Sequence, residues 1–187
     1  MPCEFAKTAL PEVVLIKPQV FRDDRGFFLE TFHKNKYAEV GISGNFVQDN
    51  HSYSKKNTLR GLHYQLLHPQ GKLVYVISGE IFDVAVDIRR GSPSFGKWTG
   101  VHLSAENKYQ LYIPEGFAHG FLVLSETADV LYKCTEIYTP DDDYGILWSD
   151  PAINITWQSS SPILSKKDQE YQTLKNIPET LLPLYKK

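Results

Sequence analysis

The chain has 187 residues, enough for one domain with a buried core and too few to require two. Its 20 basic and 22 acidic side chains are mixed along the sequence and give a formal net charge of -2, so no single-signed field attracts nucleic acid or a membrane surface. Aromatic residues make up 13% of the chain, with 11 Tyr and 10 Phe, which favours strands over helices. We therefore expect a β-rich protein that binds neither nucleic acid nor membranes.

Cysteine use and the first residues of the chain predict where the protein is found. Only Cys3 and Cys134 occur, so no disulfide framework is indicated and a reducing compartment fits. The first residues lack a basic segment followed by a long apolar one, and no later apolar run approaches about 18 residues. The expectation is a cytoplasmic protein.

A charged turn at residues 22–26 separates two short strands near the start of the chain. β-branched residues at 13–16 indicate a strand before it, and aromatic residues at 27–32 indicate a strand after it. Arg25 and Glu30 flank the turn. A solvated hairpin tip and a functional role are both open for them.

The next two segments are a short helix and a polar strand. Residues 34–40 are compatible with one or two helical turns. The strand expected at 46–52 carries Gln48 and Asn50 among several other amides and hydroxyls. Polar groups at that density are typical of a sheet edge or of a surface that faces a ligand.

The stretch 58–65, Thr-Leu-Arg-Gly-Leu-His-Tyr-Gln, combines a cation, a glycine, an imidazole and a carboxamide. Alternate side chains of a strand share a face, so His63 and Gln65 would lie on the face of Gly61, with the intervening leucine and tyrosine on the other. A histidine beside a glycine has room to meet a ligand. The alternative is a core histidine with satisfied hydrogen bonds.

Residues 72–77 and 80–88, joined by Ser78-Gly79, are predicted to form a β-hairpin. Asp83 and Asp87 share one face of its second strand. Paired carboxylates are compatible with acid–base or metal chemistry. The alternating apolar residues instead favour a structural interpretation, with the apolar face in the core and the other face outward.

Further candidates follow in the second half of the chain. The turn at 114–120 brings His119 next to a glycine at the start of a strand. A strand predicted at 130–138 carries Tyr132 and Tyr138, which share a face if the strand is regular. Ordinary sheet tyrosines and functional tyrosines are both open interpretations at this point.

The last part of the chain changes character. A final strand is predicted at 153–157, after an acidic loop at 139–145. From residue 159 serine, lysine and acidic residues dominate, and the sequence at 165–168 resembles a helix start. We expect residues 158–187 to wrap around the preceding domain.

Strands that recur with turns about every 8 to 12 residues predict a sandwich or barrel. Two histidine segments on separate strands, together with the turn Pro114-x-Gly116-x-x-His119, resemble the cupin superfamily. The predicted fold class is therefore all-β, a cupin-type jelly-roll barrel with a short, partly helical C-terminal segment. A single domain is expected over residues 1–187, with its core at about 13–157.

Metal binding is not expected in this barrel. A metal-binding cupin usually has a second histidine two residues after the first, plus a carboxylate. This chain has Tyr64 and Gln65 after His63, and both are poor substitutes for imidazole and carboxylate ligands. The sequence predicts no metal and no cofactor.

Several ordered motifs together resemble the dTDP-4-dehydrorhamnose 3,5-epimerases, the third enzyme family of the dTDP-L-rhamnose pathway. The resemblance extends from about residue 14 to residue 168. A set of motifs in the right order is far more specific than any one of them. They are Asp24-Arg25-Gly26, the stretch 58–65, Lys72-Leu73-Val74, and residues 82–87, 114–121, 131–133 and 148–151.

The resemblance implies epimerisation of dTDP-4-dehydro-6-deoxy-D-glucose at C3 and C5, giving dTDP-4-dehydro-L-rhamnose. Both carbons flank the C4 ketone, so the reaction needs a base, a group that stabilises the enolate and a proton donor. The family pattern implies His63 as the base and Asp168 as the carboxylate that orients it. It implies Lys72 as the cation near the enolate and Tyr132 as the donor.

For substrate binding the resemblance implies contacts to diphosphate, sugar and base, with Tyr138 stacked on thymine. The family usually has Glu where Asp143 stands, so a nucleotide contact from that loop is left open. The other residues implied are Arg25, Glu30, Gln48, Asn50, Arg60, His119 and Lys167.

The resemblance also implies a homodimer that shares residues across its interface, and the charged turn at 22–25 is the local indication that it reaches the neighbouring subunit's site. Two other functions remain open. One is a 3- or 5-monoepimerase of nucleotide sugars on the same scaffold, and the other is a non-catalytic sugar-binding jelly roll. The second would leave His63, Lys72 and Tyr132 without a role.

Overall fold

Two antiparallel sheets face each other, and among residues 2–186 thirteen strands form these sheets and one separate hairpin. The computed structural model describes residues 2–186. The strands are β1 (Cys3–Lys7), β2 (Val14–Pro18), β3 (Val20–Asp23), β4 (Gly26–Leu29), β5 (Gln48–Lys55), β6 (Leu59–Gln65), β7 (Lys72–Ser78), β8 (Glu80–Asp87), β9 (Trp98–Ser104), β10 (Gln110–Ile113), β11 (Phe117–Val123), β12 (Thr127–Cys134) and β13 (Asp143–Gly145).

The first sheet has the strand order β1-β2-β10-β7-β12-β5, and the second has the order β13-β6-β11-β8-β9. Strands β3 and β4 form a separate two-stranded hairpin. Helices are short: α1 spans Lys34–Ala38 and α2 spans Lys166–Glu170, and single 3₁₀ turns occur at Pro140–Asp142, Leu174–Asn176 and Glu179–Leu181. The predicted all-β jelly-roll barrel with a partly helical C-terminal segment is confirmed.

Apolar side chains fill three layers. The central layer lies between the sheets and includes Val74 and Val130 from the first sheet, with Ala85 and Phe121 from the second. An outer layer on the second sheet is covered by the C-terminal segment, and another on the first sheet is covered by α1 and the loop that follows it. The strands are therefore buried on both faces over much of their length, which stabilises the frame that holds the cavity described below.

The predicted pairing of β7 with β8 is wrong. These strands are adjacent in sequence, but β7 pairs with β10 and β12, whereas β8 pairs with β11 and β9. Gly79 has a positive φ of 79° at the corner between them, where the chain crosses from one sheet to the other. Alternation of apolar residues specifies a strand and its faces but not its partner, so a corner was mistaken for a hairpin turn.

The prediction that one face of β8 points outward is also wrong, because Asp83 and Asp87 are both fully buried. The apolar face of β8 packs under Leu174 and Leu182 of the C-terminal segment. The carboxylate face therefore belongs to the side on which Ala85 joins the central layer. Asp87 is neutralised there by the guanidinium of Arg89, at 2.8 Å.

Two segment boundaries also differ from expectation. Residues 3–7 form β1 and pair with β2, so the first sheet begins before residue 13, where the core was expected to start. The strand predicted at 153–157 is irregular backbone instead. Within residues 2–186, none of the helices combines the length and apolar character needed to cross a membrane.

Candidate active site

A cavity of about 290 Å³ lies between the two sheets. Strands β5, β7 and β12 line it from the first sheet, and β6 and β13 line it from the second. Most of the residues singled out from the sequence meet in this one place. The lining residues are Gln48, Asn50, His63, Tyr64, Gln65, Gln70, Lys72, Tyr132, Tyr138 and Asp143.

His63 lines the cavity from β6, where the expected strand is confirmed. Leu62 and Tyr64 pack into the outer apolar layer on the second sheet, so His63 faces the other way, as alternation predicted. A Cβ on Gly61 would lie 2.5 Å from the Cα of Gly120 in β11. Glycine at both positions is what lets the two strands approach closely next to the histidine.

Asp168 holds the imidazole of His63, with Oδ1 at 2.5 Å from Nε2. Ser165 is the N-cap of α2: its Oγ accepts from the backbone N–H of Asp168 at 3.1 Å and donates to Oδ2 at 2.8 Å. Burial opposes ionisation of Asp168, but the hydrogen bonds from His63 and Ser165 and the nearby Lys167 ammonium outweigh it and hold the pKa below its ordinary value. The helix start predicted at 165–168 thus fixes a carboxylate against the imidazole.

The second ring nitrogen of His63 is available for chemistry. Because the carboxylate of Asp168 accepts from Nε2–H, Nδ1 carries the lone pair of the neutral imidazole. Nδ1 has no hydrogen-bond partner within residues 2–186. The ring of Tyr171 packs edge-on against the imidazole, with the ring centroids 5.9 Å apart. The imidazole is thus restrained by Asp168 and Tyr171, with one nitrogen left free.

Lys72 is the first residue of β7 and lies opposite Cys134 in the register with β12. Desolvation lowers the pKa of Lys72, while Cys134, Asp143 and Asp83 act in the opposite direction. In the part of the chain that the structure describes, the ammonium has no hydrogen bond or ion pair. A cation without a protein partner that lines a cavity is suited to an anionic group of a ligand.

Tyr132 lines the cavity from the first sheet, so it approaches from the side opposite His63. Its neighbours in the register are Asn50 on β5 and Val74 on β7. Burial raises the pKa of Tyr132, the nearby Cys134 adds to the rise, and the Arg60 cation opposes it. The phenol is therefore protonated near neutral pH and can donate a proton.

Tyr138, Asp143 and Lys167 form a polar cluster at the cavity rim. The hydroxyl of Tyr138 donates to Oδ2 of Asp143 at 2.8 Å, and Nζ of Lys167 lies 2.5 Å from the same oxygen. The hydrogen bond to Asp143 is the main cause of a raised pKa at Tyr138. The strand predicted to reach residue 138 ends at Cys134, so Tyr138 lies in a loop, yet it lines the same cavity as Tyr132.

His119 and Arg60 lie next to the cavity without lining it. His119 is opposite His63 in the pairing of β11 with β6, and its Nε2 lies 2.7 Å from Oδ1 of Asp83. The other oxygen of Asp83 is buried without a partner. Arg60 donates from Nε to the hydroxyl of Ser54 at 3.0 Å, near enough to Tyr132 to affect the pKa of its phenol.

Two predicted site residues do not join the cluster within this chain. Arg25 is at the tip of the β3–β4 hairpin, with its side chain 89% exposed and paired to Asp23 at 2.6 Å. Glu30 is paired with Lys36 at 2.5 Å. Neither lines the cavity.

Four residues around the cavity were not singled out as site residues from the sequence. Tyr64, Gln65 and Gln70 line it, and Tyr171 restrains the imidazole. The shared face of His63 and Gln65 could have indicated Gln65. No local signal distinguishes the other three. Within the described chain, no cluster of three or more His, Cys, Asp or Glu side chains is arranged to hold a metal ion.

A family model described as dTDP-4-dehydrorhamnose 3,5-epimerase matches residues 7–176. A relative of that name from Neisseria gonorrhoeae is 59% identical over 162 residues, which are 86% of this chain and 49% of the relative. The chain belongs to the dTDP-4-dehydrorhamnose 3,5-epimerase family. It spans about half the length of the Neisseria protein.

Solved structures of family members extend the comparison. A Legionella pneumophila dTDP-6-deoxy-D-glucose-3,5-epimerase, in complex with dTDP-4-keto-L-rhamnose, is 50% identical with a TM-score of 0.97, and the match covers 100% of both chains. A 3'-monoepimerase from Streptomyces bikiniensis, in complex with dTDP-quinovose, is 30% identical with a TM-score of 0.89, covering 96% of this chain and 92% of that one. The epimerase fold therefore carries both double and single epimerisation.

Proposed function

We propose that this chain epimerises dTDP-4-dehydro-6-deoxy-D-glucose at C3 and C5 to give dTDP-4-dehydro-L-rhamnose. The observation that carries the proposal is the placement of His63 and Tyr132 on opposite sheets of one cavity, which Lys72 also lines from β7, the strand next to that of Tyr132. Inversion needs a proton removed from one face of the sugar and another delivered to the opposite face. A base and an acid on opposing walls meet that requirement.

His63 is the base in this proposal. Its Nδ1 lone pair takes the proton from C3 or C5, and the electron pair of the broken C–H bond forms the enolate with the C4 ketone. The imidazolium that results is stabilised by the Asp168 carboxylate at Nε2. Because Ser165 and the N-terminus of α2 hold that carboxylate, the ring does not have to reorient when it becomes charged.

Lys72 stabilises the enolate. The negative charge develops on the C4 oxygen. The Lys72 ammonium, which has no hydrogen bond or ion pair to residues 2–186, can bind it in a desolvated setting where the interaction is strong. Cys134, Asp143 and Asp83 favour the charged form of this lysine, which offsets part of the cost of burying it.

Tyr132 completes the inversion by donating its phenolic proton to the carbon from the other face. The tyrosinate left behind lies near the Arg60 cation, which favours the charged form of the phenol. His63 then releases its proton to solvent and Tyr132 recovers one, so the net reaction is an isomerisation that consumes nothing.

The nucleotide is proposed to bind at the rim, with thymine on the ring of Tyr138. Gln48 and Asn50 supply amides there, and Arg60 and Lys167 supply the cations that a diphosphate requires. Asp143, which stands where the family usually has Glu, contacts both Tyr138 and Lys167. We propose that it holds these two rim side chains in place. His119 is buried against Asp83 next to the cavity, and we propose that it supports the wall at the sugar end of the site without contacting the sugar.

We also propose a homodimer in which Arg25 and Glu30 serve the partner's site. Within residues 2–186 the β3–β4 hairpin pairs with no other strand, and its Phe28 is 63% exposed beside the exposed Phe21 and Phe27. An exposed aromatic hairpin that carries a charged tip fits a contact with a second copy of the chain. Light scattering should give twice the 21.4 kDa chain mass.

A mixing experiment tests whether the hairpin acts on the partner's site. Arg25→Ala and His63→Ala each lose activity alone. If Arg25 acts across the dimer, unfolding and refolding a mixture restores one intact site per mixed dimer, about a quarter of the parent activity. If Arg25 acts within its own chain, mixing restores nothing, and that part of the proposal fails.

Turnover itself is tested in D₂O with the dTDP-4-keto sugar as substrate. Double epimerisation places deuterium at both C3 and C5 and yields an L-configured product, whereas the monoepimerase alternative labels one carbon. No turnover and no exchange would leave the non-catalytic sugar-binding alternative. A cytoplasmic location, which the two cysteines favour, is tested by cell fractionation.

A further inference from the structure

The carboxamide of Gln65 is hydrogen-bonded to the backbone of two neighbouring loops, the one that follows β6 and the one that follows β12. Nε2 donates to the carbonyl oxygens of His68 at 2.7 Å and Ile137 at 3.2 Å, and Oε1 accepts from the backbone N–H of Thr139 at 2.8 Å. The side chain is 5% exposed and forms part of the cavity wall. Both amide protons and the amide oxygen are therefore used to hold the chain rather than a ligand.

The two loop residues that Gln65 holds, Ile137 and Thr139, flank Tyr138. Strand β12 ends at Cys134 and the next 3₁₀ turn begins at Pro140, so Tyr138 lies outside both elements. The residue is 46% exposed, its hydroxyl donates to Asp143 at 2.8 Å, and its backbone N–H donates to Oε1 of Gln48 at 2.8 Å. The bonds from Gln65 reduce the number of conformations open to this backbone before any ligand arrives.

The segment that follows Tyr138 also binds the end of β6. Asp142 is buried, and its carboxylate accepts the backbone N–H groups of Leu66 at 3.1 Å, Leu67 at 2.9 Å and His68 at 2.7 Å. These three residues directly follow Gln65. The end of β6 and the loop before β13 therefore hold each other through two sets of hydrogen bonds, one from Gln65 and one to Asp142. We call this arrangement the Gln65–Asp142 clamp.

We propose that Gln65 is a positioning residue for substrate recognition, which fixes the backbone on both sides of Tyr138 and so sets the ring that binds the nucleotide base. The inference rests on the proposed function. Gln65 shares its strand face with His63, so one strand places the catalytic base and also anchors the loop that recognises the nucleotide. Gln65 acts through Tyr138 and touches no reacting atom.

The test uses Gln65→Met, which keeps the length of the side chain and removes every hydrogen bond. KM and the dissociation constant for dTDP should both rise about 10-fold, with kcat within about threefold of the parent. Tyr138→Ala should raise the same two quantities. The double variant should be no worse than the worse single variant, because both changes disrupt one interaction.

Gln110→Met is the matched control. Gln110 is a buried glutamine that accepts from the hydroxyl of Tyr37 at 2.9 Å and donates to the carbonyl of Thr31 at 2.9 Å, and it does not line the cavity. It should lose stability without a change in dTDP affinity. If Gln65→Met does not fold, Gln65→Asn serves instead, with an expected rise in KM of about threefold to 10-fold.

Three outcomes would overturn the inference. They are unchanged dTDP affinity in the Gln65 variant, a loss in kcat with KM preserved, and effects of the Gln65 and Tyr138 changes that multiply. Calorimetry of the parent protein with dTDP keeps this result separate from the proposed function. If the parent does not bind dTDP, the proposed function is contradicted. If the parent and the Gln65 variant bind dTDP equally tightly, only the positioning role of Gln65 is contradicted.

Discussion

Two histidine–aspartate pairs lie side by side in this barrel, and they differ in their exposure to the cavity and in the hydrogen bonds of their aspartates. His63 and His119 are directly opposite each other on β6 and β11, and each presents Nε2 to an aspartate oxygen, at 2.5 Å and 2.7 Å. The imidazole of His63 is 30% exposed in the cavity, whereas that of His119 is 8% exposed. Access, rather than residue type, separates the two.

The aspartates differ as well. Both oxygens of Asp168 are hydrogen-bonded, and the second bond comes from the helix cap at Ser165. Asp83 has one oxygen bonded to His119 and one buried without a partner, and it favours the charged form of Lys72. The first pair is therefore built to move a proton, and the second to hold charge inside the barrel.

The largest expected effect separates the two pairs directly. His63→Ala should lower kcat by about 10²- to 10⁴-fold, because it removes the general base. His119→Ala should instead lower the free energy of unfolding by about 3–5 kcal/mol, because it leaves the Asp83 carboxylate buried and unpaired. Steady-state kinetics and urea unfolding of both variants are the measurements.

The affinity of the His63 variant for dTDP is the control for this comparison. dTDP affinity of the His63 variant should stay within about threefold of the parent, since the base touches the sugar and not the nucleotide. A His63 variant that retains activity within a few-fold, or a His119 variant that is the less active of the two at full stability, would reverse the assignment.

The second effect concerns what orients the base. Asp168→Asn should lower kcat by about 10- to 100-fold. An amide can donate to Nε2 of His63, which would move the imidazole proton to Nδ1 and remove the lone pair from the cavity side. Ser165→Ala should cost about 1 kcal/mol of stability through the lost cap, with a smaller loss of kcat. Equal kcat in parent and Asp168→Asn would show that the carboxylate is dispensable.

Part of the first pair is predictable from the sequence. Strand periodicity placed His63 on an inward face, and the helix start at 165–168 located Asp168. Both signals are local, because a strand face and a helix cap are specified by residues a few positions apart. The family resemblance connected the two residues. Neither pattern alone says that they meet across 105 positions of sequence.

The second pair was misjudged for a physical reason. Alternation along β8 identified two faces correctly, but the C-terminal segment covers the apolar one, so the carboxylate of Asp83 faces inward. Which face is covered depends on residues about a hundred positions away. The passage of the chain from one sheet to the other at Gly79 was not predicted for a similar reason, because the apolar pattern of a strand does not specify which strand it pairs with.

A third effect, on pH dependence, tests the role of Asp83. Lys72 must be protonated to stabilise an enolate, so kcat should fall as pH rises through its pKa, which desolvation already places below the ordinary lysine value. Asp83→Asn removes a charge that raises this pKa. The alkaline limb of the pH–kcat profile should therefore move to lower pH. An unmoved limb, or a shift to higher pH, would show that Asp83 does not support the charge of Lys72.

The smallest expected effect is that of metal removal, which should be none. Neither pair belongs to a set of metal ligands, since Nε2 of each histidine is bonded to its aspartate and a metal site generally needs at least three protein ligands. Gln65, where a metal-binding cupin usually has its second histidine, uses its carboxamide to bind the backbone of His68, Ile137 and Thr139. Exhaustive chelation should leave kcat unchanged, and elemental analysis should find no stoichiometric zinc, iron or manganese. Activity that disappears on chelation and returns with one of these metals would mean that the His63 nitrogen facing the cavity binds a metal instead of a proton.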